Sequence, residues 1–203
     1  MVTAIRIYAE GGGDSRDAKA FLREGFSAFL GHLNLMAREK GIRWHIVTCG
    51  PRNAAFDAFR TAQAQHPEAF NVLLVDSEAP VRTTAWSHLH ERDGWDAGGQ
   101  SDDCCHLMTQ AMEAWFIADV AALAGFYGQG FRDSDIPRNP DVEQVPKAQL
   151  ERTLRDASRH TQKGEYHKAR HAWRILKLID PDTVRRASVH CDLLFTTLQA
   201  KMQ

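Results

Sequence analysis

The stretch Ala4–Glu10, AIRIYAE, alternates apolar and polar residues and predicts a strand. After a glycine turn, Leu22, Phe26, Phe29, Leu33 and Met36 recur at 4-3-4-3 spacing, the buried stripe of one long amphipathic helix that Gly41 stops. RWHIVTC predicts a second strand. Phe56, Phe59 and Ala62 then mark the inner side of a helix that begins after Pro51 and ends at Pro67. Val72–Val75 is a continuous apolar run, as expected of a strand covered on both faces of a parallel sheet. Residues 86–103 are polar, glycine-rich and aperiodic, and read as a long loop. A short strand near Cys105–Thr109 follows, then a helix from about Met112, then an irregular stretch from Gly125 to Pro146. The remainder reads as helical. Leu150, Leu154 and Ala157 form one stripe, and Trp173, Leu176 and Ile179 form another. Asp180–Pro181 opens a last helix carrying Val184, Ala187, Cys191, Leu194 and Leu198.

The order β-α-β-α-β implies right-handed crossovers and an open α/β sheet, mainly parallel and flanked by helices, with a helical C-terminal extension. A division into a core of residues 1–125 and an extension of 126–203 packed on it follows. With 203 residues, 43% of them hydrophobic, one compact core is the expectation. No apolar segment reaches the roughly 20 residues that span a bilayer, so no membrane partner is expected. MVTAIRIYAE lacks a signal-peptide apolar region, and Cys49, Cys104, Cys105 and Cys191 show no C-x-x-C spacing. Both point to a reduced, cytoplasmic protein. A zinc set through Cys104, Cys105 and His106 competes with the simpler role of cysteines as small buried hydrophobes.

The net charge of −1 conceals an asymmetry: residues 1–146 carry 13 Lys and Arg against 20 Asp and Glu, whereas residues 147–186 carry 11 against 5. The basic segment suits a nucleic-acid-facing surface, or simply solvated helix faces. The acidic part holds the candidate chemistry. Gly11–Gly13 follow the first strand, but no lysine stands where a phosphate-binding loop needs one, and Asp14 and Ser15 interrupt a dinucleotide fingerprint. Glu10 and Asp14 would repel a bare phosphate. Asp76 and Glu78 lie two apart after the third strand, where side chains of an extended chain point the same way. If β-strands one and three are neighbours, Glu10, Asp76 and Glu78 converge, and a hard divalent cation such as Mg²⁺ relieves their repulsion. Each residue also has a plainer role. Glu10 can end a strand at the solvent, Asp14 can cap a helix, and Glu113 can be a first-turn acid favoured by the helix dipole. His106 can be a core histidine, and Arg52 can contact phosphate or cap a helix. Lys168, Arg170 and Arg174 can be a solvated face. Trp86, Trp95, Trp115 and Trp173 are candidates for base stacking, with Trp115 and Trp173 at core spacing.

An E-G-x-x-[DE] turn after the first strand with D-x-[DE] after the third resembles the Toprim signature of topoisomerases, primases and overcoming-lysogenization-defect (OLD) nucleases. The stretches EGGGDS, LLVDSE, HLMTQAMEAWFIAD, YGQGF and YHKARHAWRILKLIDP resemble a bacterial family of small Toprim-like proteins of unknown function. The resemblance implies a Toprim-like fold and a nuclease using Mg²⁺ or Mn²⁺ on DNA or RNA, in phage defence beside an ATPase partner. By it, Glu10, Asp76 and Glu78 are the principal metal ligands, Asp14 a second-metal acid and Glu113 a further acid of the site. Lys168, with Lys163 close by, is the lysine aimed at the phosphate. Gly11, Gly12, Arg52 and Arg170 would contact phosphate or nucleic acid, and His106 or His167 would relay a proton. A non-catalytic metal- or nucleotide-binding module that regulates an ATPase, and phosphoryl transfer on a small nucleotide, are the other readings.

Overall fold

The computed structural model describes residues 2–203. Four strands, β1 (Ala4–Glu10), β2 (Arg43–Gly50), β3 (Phe70–Asp76) and β4 (Cys105–Met108), form one parallel sheet in the order β2-β1-β3-β4. The chain leaves β1 toward one edge and returns across it to β3. The crevice between the carboxyl ends of β1 and β3 is therefore the topological switch point, where open α/β sheets bind ligands. Every residue of β3 is buried, as its unbroken apolar run requires.

The right-handed rule for parallel crossovers puts α1 (Arg16–Phe29) and α2 (Gly31–Glu39) on one face and α3 (Arg52–Gln65) and α4 (Ala85–Asp93) on the other. On the second face Phe56 stacks on Trp95 at 4.4 Å, and Phe59 packs beside Trp86. On the first, Phe29 stacks on Trp115 of α5 (Glu113–Ala118) at 5.0 Å and meets Phe195 of the last helix edge-on. The chain continues through α6 (Val120–Tyr127), α7 (Lys147–Ser158), α8 (Lys168–Leu176), α9 (Pro181–Ala187) and α10 (Val189–Lys201). The division at residue 125 falls within α6. No helix of the described residues is long and apolar enough to cross a membrane.

Three expectations give way. The long helix after the glycine turn breaks at Leu30 into α1 and α2; both sides of the break keep their apolar stripe, so periodicity cannot register it. The helix after Asp180 likewise breaks at Ser188, whose hydroxyl accepts from the Cys191 amide and restarts the chain as α10. Residues 86–103 are not all loop: α4 occupies their first half, capped by Thr84 at one end and by left-handed Gly94 at the other. Only Trp86, His88 and Leu89 of α4 are buried, too few to outweigh its polar residues in a periodicity count.

Gly25, in the middle of α1, is explained by packing. A Cβ there would lie 2.9 Å from the Trp173 carbonyl oxygen, so α8 rests directly on α1 at this point. That close approach carries Lys168, the first residue of α8, to the carboxyl end of the sheet. Gly25→Ala is expected to destabilise the protein by about 1–3 kcal/mol through overpacking, measured by urea unfolding.

Candidate metal centre

Glu10 ends β1 at a slip in the ladder: Ala9 pairs with Thr48 but Glu10 with Gly50. Such bulges re-aim side chains beside functional sites. Gly11 and Gly12 follow with φ of 114° and 86°, and a Cβ on Gly12 would meet the Lys19 backbone at 2.8 Å, so the turn is closed to other residues. Glu10 Oε2 accepts from the Asp76 amide at 3.1 Å, which ties β1's end to β3's. Glu78 arrives by a route the sequence does not display. It is not extended: its φ is 67°, and its amide bonds the Gln110 carbonyl at 2.8 Å. One carboxylate oxygen each of Glu10, Asp76 and Glu78 lie within 4.8 Å of one another.

Cations surround this group. Arg52 Nη1 donates to the Asp76 carbonyl at 3.0 Å and stands 3.6 Å from Glu10 and 4.0 Å from Glu78. Its Nη2 pairs with Asp93 at 2.7 Å, and its guanidinium lies over Trp95. Glu78 also pairs with Lys147 and, at 3.6 Å, with Arg92. Lys168 Nζ sits 3.1 Å from Glu113 and 3.8 Å from Asp76. Glu113, buried, accepts from the Tyr166 hydroxyl at 2.9 Å.

The carboxyls differ in their proton affinity. Burial pushes Asp76 up to about 7; Lys168 opposes this, while Glu113 and Glu10 add to it. Burial likewise raises Glu10, against the pull of Arg52. For Glu78 burial is outweighed by Lys147, Arg92 and Arg52, which hold it below its usual range. Burial works to lower the Lys168 ammonium, but Glu113 and Asp76 prevail and keep it firmly protonated.

The other candidates divide. Asp14 is exposed on the rim of a neighbouring cavity, and Ser15 rather than Asp14 caps α1. His167 lines the same cavity, while Arg170 is exposed on α8. His106 lies elsewhere: its ring bonds the Asp103 carbonyl at 3.1 Å, it lines a cavity with His190, and burial depresses it to about 4. The four cysteines are free and buried, and burial raises the thiols of Cys104 and Cys105, which disfavours the thiolate that zinc needs. Trp86, Trp95 and Trp115 are buried in the core, out of reach of any base.

The sequence profile of the family described as Domain of unknown function (DUF4276) matches residues 9–199. The chain belongs to this family. Among curated proteins and among solved structures, none matches it. The family match spans both Glu10 and Lys168, so the whole constellation lies inside the family's region.

Arg92, Asp93, Lys147 and Tyr166 are members of the network that sequence reasoning does not single out. Lys147 reaches Glu78 because its backbone is fixed. Its amide donates to Gln110 Oε1 at 3.1 Å, and Gln110 Nε2 donates to the Glu143 carbonyl at 3.1 Å. Glu143 in turn accepts from Ser188 Oγ at 2.6 Å and the His190 amide at 2.8 Å, and faces His190 Nδ1 at 2.7 Å. Burial would raise Glu143, but these bonds hold it below its ordinary value of 4.5. A depressed carboxyl contributes stability above its unfolded pKa and loses it as pH falls through the folded one. Glu143→Gln is therefore expected to cost about 1–3 kcal/mol at pH 7, with the gap to the parent protein closing below about pH 4 in pH-resolved thermal melts.

Proposed function

We propose that this protein is a divalent-metal-dependent phosphodiesterase acting on nucleic acid, a Toprim-type nuclease whose ion is held by Glu10, Asp76 and Glu78. The carrying observation is the meeting of these three carboxylates at the switch point of the sheet. The donor set fits the group: all-oxygen ligands suit Mg²⁺ or Mn²⁺, and an octahedral shell of ~2.1 Å radius needs small side-chain adjustments from the present spacing. Asp76 fits as well, because a carboxyl whose proton affinity is raised by burial gains most from a cation.

The ion would supply an activated water and charge neutralisation at the scissile phosphate. The chain's own residues do the rest. Lys168 stays protonated and offsets charge on the phosphoryl oxygens. Glu113 and Tyr166 hold Lys168 in place. Arg52 fixes the ends of β1 and β3 relative to each other through Glu10 and the Asp76 carbonyl. His167, which lines the same cavity as Lys168, is the residue this reading assigns as proton relay. Lys147 and Arg92 act as counter-ions that a metal would displace from Glu78. An ATPase partner and phage defence belong to the same reading and rest on the resemblance to OLD-type nucleases; a cytoplasmic setting rests on the cysteine pattern.

The charge compensation by Arg52, Lys147, Arg92 and Lys168 also favours a second reading, a module that binds metal or nucleotide without turnover and reports to an ATPase. Incubation with plasmid DNA and with RNA in Mg²⁺ or Mn²⁺, with and without such an ATPase, separates the two. Cleavage that Asp76→Ala abolishes supports the hydrolase. Metal binding without cleavage under every condition supports the module, and turnover of small nucleotides alone supports phosphoryl transfer.

A further inference from the structure

Lys168 serves two places. Its ammonium reaches Glu113 and Asp76, and the residue also forms part of the wall of a cavity of about 500 Å³. Two more wall residues adjoin the carboxylates. Gly11 follows Glu10 directly, and Met112 donates its amide to Asp76 Oδ1 at 2.8 Å. The cavity therefore adjoins the carboxylate cluster. Its remaining wall is mostly apolar, with Leu22, Ala172 and Trp173 among its members. Trp173 is partly buried and stacks on the half-exposed Phe21 at 4.9 Å.

An apolar chamber beside a cluster of carboxylates is a poor seat for phosphate and a good one for the uncharged part of a substrate. Its volume lies within the roughly 300–1,000 Å³ of small-molecule sites. A phosphodiester placed at Asp76 and Lys168 has its sugar and base within one nucleotide's reach of this wall. We infer that the cavity is a nucleobase subsite, which receives the planar base of the nucleotide whose phosphate lies at the carboxylates; this rests on the hydrolase reading above. Lys168 then serves the phosphate while the apolar wall takes the base. A base seated against this wall cannot stay paired and stacked in a duplex. The substrate class that follows is single-stranded nucleic acid or a frayed end, not intact double helix.

Binding in Mg²⁺ of ligands that contain no phosphodiester tests this apart from catalysis. Adenosine 5′-monophosphate and ribose 5-phosphate share the phosphate and differ in the base. By titration calorimetry the nucleotide is expected to bind at least tenfold more tightly. Ala169→Phe, at an exposed position of the cavity wall, is expected to remove that preference with the melting temperature unchanged. Trp173→Ala, which changes volume in the opposite sense, is expected to weaken it too. Equal affinity for the two ligands, no binding of either, or a preference that survives both variants overturns the inference. Metal-dependent cleavage without base-dependent binding would sink the subsite and leave the hydrolase. Base-dependent binding without cleavage would leave the subsite and sink the hydrolase.

Discussion

Asp76→Asn is expected to abolish metal-dependent hydrolysis, by a factor of about 1,000 or more, and at the same time to make the metal-free protein more stable. The two effects have one cause. Asp76 is 4% exposed, close to Glu10 and Glu113, and held near a pKa of about 7 against an ordinary value of 3.8. A carboxyl with a raised folded pKa binds a proton more tightly in the native state than in the unfolded one. Stability then falls as pH rises from about 4 to 7 and stays lower above. The amide keeps the hydrogen bond from the Met112 amide and removes the charge. Its advantage should be absent below pH 4 and reach roughly 2–4 kcal/mol above pH 7, the attraction to Lys168 being already contained in that pKa. Thermal melts in EDTA across pH 4–8 measure it. A variant that is less stable than the parent at pH 8 would show that the carboxylates are not in conflict.

Lys168→Met is the complementary change. It removes the ammonium that pairs with Glu113 and Asp76 and leaves two buried carboxyls facing each other. Loss of one partner of a buried pair costs several kcal/mol; the Lys168 side chain is 48% exposed, so solvent screening reduces the expected loss to about 2 kcal/mol. Without Lys168 to oppose it, the Asp76 carboxyl should rise further. Added Mg²⁺ should restore part of the stability, because an ion that binds only the native state stabilises it by mass action. Cleavage should fall with kcat more than KM, since the charge that Lys168 offsets develops in the transition state. Unchanged stability in EDTA, measured by urea unfolding, would remove Lys168 from the network.

The parts of this account that depend on local pattern are legible in the sequence. The Val72–Val75 run forecasts a doubly covered strand, and the β-α-β-α-β order directs attention to Glu10 and Asp76 at strand ends, which the structure shows to adjoin. Glu78 is legible as a residue but not as a conformation: alternation along an extended strand was the expected route, whereas a left-handed turn held by Gln110 delivers it. Of the cations, Arg52 and Lys168 are legible as candidates, whereas Arg92 and Lys147 are not. Arg92 and Asp93 sit on α4, whose three buried residues are lost among polar ones. Lys147 is 69 positions from Glu78 and arrives through the chain Ser188–Glu143–Gln110, which no periodicity encodes. Gly25 is similar, since the α1–α8 contact that requires it joins segments with no local relation. His106, read as a proton relay or a core histidine, bonds the Asp103 carbonyl and lines a separate cavity with His190.

The most direct measurement is Mn²⁺ titration by calorimetry at pH 7.5. The parent protein should bind the ion, and Glu10→Gln, Asp76→Asn and Glu78→Gln should each weaken it about 100-fold while remaining folded. Equal Mn²⁺ affinity in the parent and all three variants, or no binding by the parent, would contradict a shared ion at the junction of β1 and β3.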